Sequence, residues 1–216
     1  MKTSSKWNIG IAVSLVIAAT ATIVVAVAQP FDAAPPNTET LSVLEDNSHR
    51  LSEADDDKVT VVEFLDFECE VCGAVYPAIE QLREEYAGRV TFVVRYFPIP
   101  GHHNSMNAAI AVEAAAQQGQ FKAMYSRMFE TQAQWGEQQV SKADLFRSFA
   151  DALGLDLAQY DAAVADPATQ ERVQTDFDAG QALGVEGTPT FFVNNDKLTI
   201  ESIDDLRAAF DQALAE

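Results

Sequence analysis

The chain contains two cysteines, Cys69 and Cys72, within the stretch EFLDFECEVCGAVYP. A pair at this spacing can do redox work, supply half of a metal site, or form a short staple. The run before it, Lys58 to Phe67 (KVTVVEFLDF), is β-branched and almost continuously apolar, the pattern of a strand covered on both faces. A helical pattern follows, from about Val71 to Tyr86. Cys69 is thereby placed just beyond a strand and Cys72 in the first turn of a helix. Residues i and i+3 of a helix are neighbours, so the two sulfurs can bond. The first sulfur also meets unpaired N–H groups and the positive end of the helix dipole, which favour thiolate over thiol. Thiolate is the species that attacks and leaves in disulfide exchange. As a staple, the pair closes too short a loop to constrain the unfolded chain much. As a metal site it lacks two of the four ligands that zinc usually takes, and His102 and His103 are adjacent rather than spaced as a ligand pair. The histidines are expected at a helix start or at the surface, and no metal or organic cofactor is expected.

The elements that must hold this pair can be read outward from it. Val90 to Phe97 (VTFVVRYF) is a second buried strand, so strand, helix and strand form a βαβ unit, parallel and right-handed. Pro77 should kink the helix between them and Gly88 should end it. Residues 98–183 change character. Ala108 to Ala116 is Ala-rich helix, and Phe121, Met124, Tyr125, Met128 and Phe129 form one stripe of another. Ser141 with Asp144 reads as a helix cap, and Asp166-Pro167 as a further helix start. The apolar stripes, and Trp135 with them, are expected to be core. From Val185 the β pattern returns: TPTFFVN and KLTI are short strands joined at Asn194-Asn195-Asp196 as a hairpin. Ser202 with Asp205 caps a last helix.

Length and charge bound the rest. The 216 residues, 48% of them hydrophobic, suffice for one sizeable core. The net charge of -19 excludes a basic surface for nucleic acid or anionic lipid. At the N-terminus, Lys2 and Lys6 precede an uncharged stretch from Ile9 to Ala28, about as long as the ~20 residues that span a bilayer. Trp7 is expected at the membrane interface. Ala26-Val27-Ala28 is also a plausible cleavage site, so a retained anchor and a removed signal both remain open. Either way the lysines stay in the cytoplasm and the rest is exported. Residues 29–50, rich in Pro, Asn, Thr and acids, read as a flexible linker, with a short strand near Leu51.

Strand, Cys69-Glu70-Val71-Cys72, helix, the later Gly187-Thr188-Pro189-Thr190 and the interposed helices resemble the DsbA family of thioredoxin-fold disulfide oxidoreductases, in its membrane-tethered bacterial branch. The resemblance covers about Leu51 to Ala215. It implies an α/β thioredoxin fold over residues 51–216, with an all-helical domain inserted at about 98–183 and the anchor or signal of residues 1–28 ahead of it. It further implies Cys69 as nucleophile and Cys72 as resolving thiol. Pro189 would be a cis-proline facing the pair. Thr188 would lie beside Cys69 and pair with substrate backbone. Glu63, an acid inside the apolar strand, matches the family's buried proton relay. The implied activity is disulfide exchange with cysteine-containing exported proteins, oxidising them as they fold. A quinone-linked membrane protein would reoxidise the pair, and a reductant would serve the reverse flow of a reductase or isomerase. A non-catalytic scaffold is the alternative from another class. A membrane-tethered monomer is expected.

The chain departs from the family between the cysteines, where many members carry Pro-His or a similar pair and this one has Glu70-Val71. With Glu68 also preceding Cys69, two carboxylates oppose the helix dipole. The expectation is a raised Cys69 pKa, relative to a site with a cationic histidine, and a potential more reducing than that of a strongly oxidising family member.

Overall fold

The structure, a computed structural model, describes residues 42–56 and 58–216. The expected anchor, Trp7 and the linker as far as residue 41 lie outside them. Five strands form one sheet: β1 (His49–Ser52), β2 (Thr60–Leu65), β3 (Thr91–Tyr96), β4 (Thr190–Val193) and β5 (Asp196–Lys197), in spatial order β1-β3-β2-β4-β5. As the βαβ reading requires, β2 and β3 are parallel, in register from Thr60 opposite Thr91 to Leu65 opposite Tyr96. The other pairings are antiparallel. The β1–β3 register shifts between Arg50 and Ser52, a bulge in the edge strand.

Helix α1 (Glu70–Glu85) joins β2 to β3 and runs on through Pro77 instead of being interrupted there. It ends at Tyr86, ahead of Gly88, whose φ of +72° suits a residue without Cβ. The helical block contains α2 (Ser105–Ala116), α3 (Phe121–Thr131), a 3-10 turn (Gln132–Gln134), α4 (Ala143–Ala152), α5 (Leu157–Ala165) and α6 (Pro167–Ala182). The last helix, α7 (Ile203–Ala215), starts with the expected Ser202–Asp205 capping box. Asp166 caps α6 with Pro167 at its first position, as read from the sequence. The cap read at Ser141 falls one residue early: Lys142 precedes α4, and the Ser141 hydroxyl only accepts from Ala143 N. The hairpin is shorter than TPTFFVN and KLTI suggest, because β5 has two residues; Leu198 N still reaches the Phe191 carbonyl at 2.9 Å.

Alternation along β2 sends Val61, Glu63 and Leu65 to one face of the sheet and Val62 and Phe64 to the other. Val62 and Phe64 pack with Val43, Val93, Phe97, Val185 and Phe192. The first face carries a single core that takes in α1, α7 and the helical block together. Phe67 at the end of β2 packs against Tyr125 and Phe129 of α3, with ring centroids 6.1 and 5.2 Å apart, and Tyr76 of α1 stacks on Phe129 at 5.2 Å. The inserted helices therefore share the scaffold's core and do not form a separate one. Trp135 is fully buried, as expected, edge-on to Phe146.

The linker expected to reach Arg50 is packed from Ser42 onward. Val43 is buried, and the Ser42 and Val43 carbonyls each accept from Arg95 Nη1 at 3.1 Å. Arg95, fully buried on β3, also pairs through Nε with Asp176 of α6 at 2.8 Å. Asp176 accepts in addition from Tyr96 N and pairs with Arg172. A buried arginine needs this many acceptors, and two come from the segment read as linker. Among the described residues no helix is long and apolar enough to cross a membrane.

Candidate active site

Cys69 occupies the position before the first turn of α1, with an extended backbone (φ -67°, ψ 121°). The Asp66–Cys69 turn that leads there is closed by Cys69 N donating to the Asp66 carbonyl at 3.2 Å. Cys72 lies one turn into the helix. Both are free thiols. The outer one keeps a small window to solvent, 5% against 1% for Cys72. The Cys69 thiol donates to the Thr188 carbonyl at 3.4 Å, and the Thr188–Pro189 peptide is cis. Val71 between the cysteines is 53% exposed, one of the few large apolar side chains on the surface.

The two thiols are electrically unlike. Cys69 is held down at about 5, against an ordinary value of 9.0. The Cys72 thiol hydrogen-bonded to it is the largest cause. Burial opposes, and Thr188 together with the backbone N–H groups of Cys72 and Val71 assists. The Thr188 hydroxyl is buried without another partner, free to donate to a thiolate. Cys72 is pushed well above its ordinary value, first by burial, then by its bond to Cys69 and the charge of Glu63. Glu63 is itself raised to about 8, by burial first and then by Glu80 and Cys69. It shares a small cavity with Leu51, Val61, Ile79, Phe92 and Phe191, and no lysine or arginine lines that cavity.

Neither flanking carboxylate is among the causes that set Cys69, which is lowered from its ordinary value. Glu68 is buried, and its carboxylate accepts from Asn104 N in the loop before α2. Glu70 projects into solvent, where it shares a hydrogen bond with Glu137. That bond lowers Glu70 and raises Glu137. Each carboxylate is engaged by the helical block, while helix N–H groups and the Cys72 thiol act on the sulfur directly.

Sequence reasoning passed over Asp66. This buried carboxylate accepts from Glu68 N (2.9 Å) and Ser105 Oγ (2.7 Å) on one oxygen, and from Ile99 N (3.1 Å) on the other. It also bonds His102 Nδ1 at 2.6 Å. Partial burial disfavours charge on His102, but Asp66 outweighs it and the imidazole is raised overall, with the Cys69 charge contributing. His102 is thus neither a helix cap nor a free surface residue, and His103 is exposed beside it. Gln132, which carried no signal in the sequence, donates from Nε2 to the Phe67 and Cys69 carbonyls, 2.8 Å each. Among the described residues no three His, Cys, Asp or Glu side chains group to hold a metal ion.

A dithiol at the mouth of a helix, after a buried strand and against a cis-proline loop, defines a thioredoxin-fold dithiol protein. The chain belongs to the thioredoxin family: the family described as "Thioredoxin" matches residues 53–212. Within that family it is DsbA-like in structure. It is similar to BdbD from Bacillus subtilis in its oxidised form, with a TM-score of 0.70 and 23% identity, over 78% of this chain and 94% of that one. A thioredoxin-like oxidoreductase from Silicibacter pomeroyi superposes with a TM-score of 0.69 at 26% identity, over 82% and 98% of the two chains. DsbA from Xylella fastidiosa gives 0.62 at 22% identity, over 76% and 88%. Among curated proteins, the Na(+)/H(+) antiporter NhaA 3 of Salinispora tropica is 41% identical over 137 residues, which is 63% of this chain and 20% of the antiporter. NhaA 1 of a Mycobacterium species is 35% identical over 144 residues, 64% and 22% of the two. The chain spans about a fifth of the length of the curated relatives it matches.

Proposed function

We propose that the chain is a thiol–disulfide oxidoreductase that oxidises cysteine-containing proteins outside the cytoplasm. The observation that carries this reading is the asymmetry of the two thiols, Cys69 acidic at about 5 and Cys72 buried and held protonated. A substrate thiolate attacks Cys69 Sγ of the Cys69–Cys72 disulfide. The S–S bond breaks, Cys72 leaves with the electron pair and takes a proton, and substrate and Cys69 are joined in a mixed disulfide. Glu63, with a pKa near 8, is a source for that proton at neutral pH. A second substrate thiolate then attacks the substrate sulfur of the mixed disulfide. Cys69 leaves as thiolate, and the lower its pKa the faster it leaves. Two electrons have passed from a substrate dithiol to the Cys69–Cys72 dithiol. Exposed Val71 and the Thr188–Pro189 loop before β4 would receive the substrate chain, Thr188 by backbone pairing.

A stabilised Cys69 thiolate favours the reduced protein and makes the disulfide an oxidant. A membrane partner, quinone-linked in similar systems, would reoxidise the pair. The apolar stretch from Ile9 to Ala28, preceded by Lys2 and Lys6, and the match to part of Na(+)/H(+) antiporters both favour a membrane setting, with the catalytic unit outside the cytoplasm. Equilibration with glutathione buffers tests the direction. A potential near about -120 mV supports oxidation, and one near about -270 mV would assign the chain to the reductases instead.

A further inference from the structure

We propose that Gln132 is a positioning residue through which the helical block sets the reactivity of Cys69, with Gly73 as the space that admits it. The proposal deepens the oxidoreductase reading and rests on it. Gln132 stands in the 3-10 turn after α3, and its carboxamide crosses to the β2–α1 turn. There a single NH2 group donates to two carbonyls of the turn that carries the nucleophile, Phe67 O and Cys69 O, each at 2.8 Å. Cys69 has no side-chain cap to fix its turn, because its thiol is needed elsewhere. The Cys69 carbonyl also accepts from Gly73 N at 3.1 Å, so the bond from Gln132 is additional to the helical one.

Two carbonyls held by one planar amide fix the Phe67–Glu68 and Cys69–Glu70 peptide planes, one on each side of the turn that presents the thiol. Those planes decide where Cys69 Sγ stands relative to the Thr188 carbonyl, the first N–H groups of α1 and the Cys72 thiol. The amide fits only because residue 73 lacks a side chain. A methyl there would overlap Gln132 Oε1 and lie 2.7 Å from its Cδ. The clash would be with the end of a flexible side chain, so Gly73→Ala should displace the amide and leave the fold in place. Gly73 is inside α1, where alanine is the better helix former.

The experiment is the pH profile of alkylation of Cys69 in the full reduced chain, for wild type, Gln132→Ala, Gly73→Ala and the double variant. The titratable groups around the sulfur are unchanged in all four: Cys72 and Glu70 on α1, Glu63 on β2, Glu68 in the turn, and His102 and Glu137 from the helical block. The expected result is a wild-type midpoint near 5, moved upward by Gln132→Ala, with the rate below pH 5 falling about tenfold, the effect of one unit. Gly73→Ala should reproduce that shift, and in the double variant it should add nothing. Unchanged midpoints in Gln132→Ala and Gly73→Ala would overturn the proposal even if the melting temperature fell, since Gln132 would then be merely structural. Additive shifts in the double variant would overturn the role given to Gly73. A wild-type Cys69 with an ordinary thiol midpoint would instead sink the oxidoreductase reading, and this proposal with it.

Discussion

Among the buried carboxylates at the central strands, Asp176 and Glu63 are treated in opposite ways. Asp176 meets two arginines and a backbone N–H, and that cluster ties β3, α6 and the Ser42–Val43 segment together. Glu63, on the neighbouring strand, lies among apolar side chains and is driven toward its neutral form. A saturated acid is a joint, because its charge is spent on its partners. A bare acid keeps a proton it can give up when a nearby charge changes, and Cys69 and Cys72 are the nearby groups whose charge changes. The difference separates a region built for stability from one built for chemistry, although the two lie on adjacent strands.

Substitutions can break this contrast. The largest effect is expected from Asp176→Ala, which leaves Arg95 buried and short of its partner and should cost about 3–5 kcal/mol in urea unfolding. Next is Gly180→Ala in α6, where a new methyl would come within 2.8 Å of Phe97 and 3.0 Å of Phe64. Overpacking of that kind should cost about 1–3 kcal/mol. Glu63→Gln should show its effect in the pH dependence instead. The folded protein keeps the Glu63 proton to about 8, while the unfolded chain loses it near the ordinary 4.5. Between those values the folded state binds more protons, so its stability falls as pH rises, by up to about 1.4 kcal/mol per pH unit. The contribution is complete below pH 4.5 and gone above pH 8. Subtracting the Glu63→Gln stability curve from the wild-type curve should isolate that slope, and a flat difference would end the relay assignment. The smallest effect is expected at the partly exposed Arg207, which pairs with Glu85 and Asp204. Arg207→Ala should leave the unfolding midpoint in place, because surface pairs are screened by solvent.

Much of the scaffold was legible because it follows from short-range rules. The β2–α1–β3 unit announces itself by apolar runs around a helical period, and Ser202 and Asp166-Pro167 mark helix starts chemically. Helix α5 escaped notice because it buries only Tyr160 and Ala163, too few to make a stripe, although Asp156 caps it with bonds to Ala158 N and Gln159 N. The site was legible at Cys69, Cys72 and Glu63, whose types stand out against their surroundings. Gln132 and Asn104 were not, because each acts on a turn tens of residues away and only tertiary structure brings them there. The surroundings of Glu68 were hidden for the same reason. Sequence adjacency placed Glu68 beside the sulfur, whereas the fold gives its carboxylate to Asn104.

The bulge in β1 bears on the protein's own solubility. Both rims of the sheet are short, four residues at one and two at the other, and the longer is interrupted between Arg50 and Ser52. Rims this blunt offer little template for a foreign strand. On the reading proposed above, this protein meets chains that have not finished folding and carry unpaired backbone. On that reading it would bind them at the Thr188–Pro189 loop without nucleating co-aggregation along its flanks.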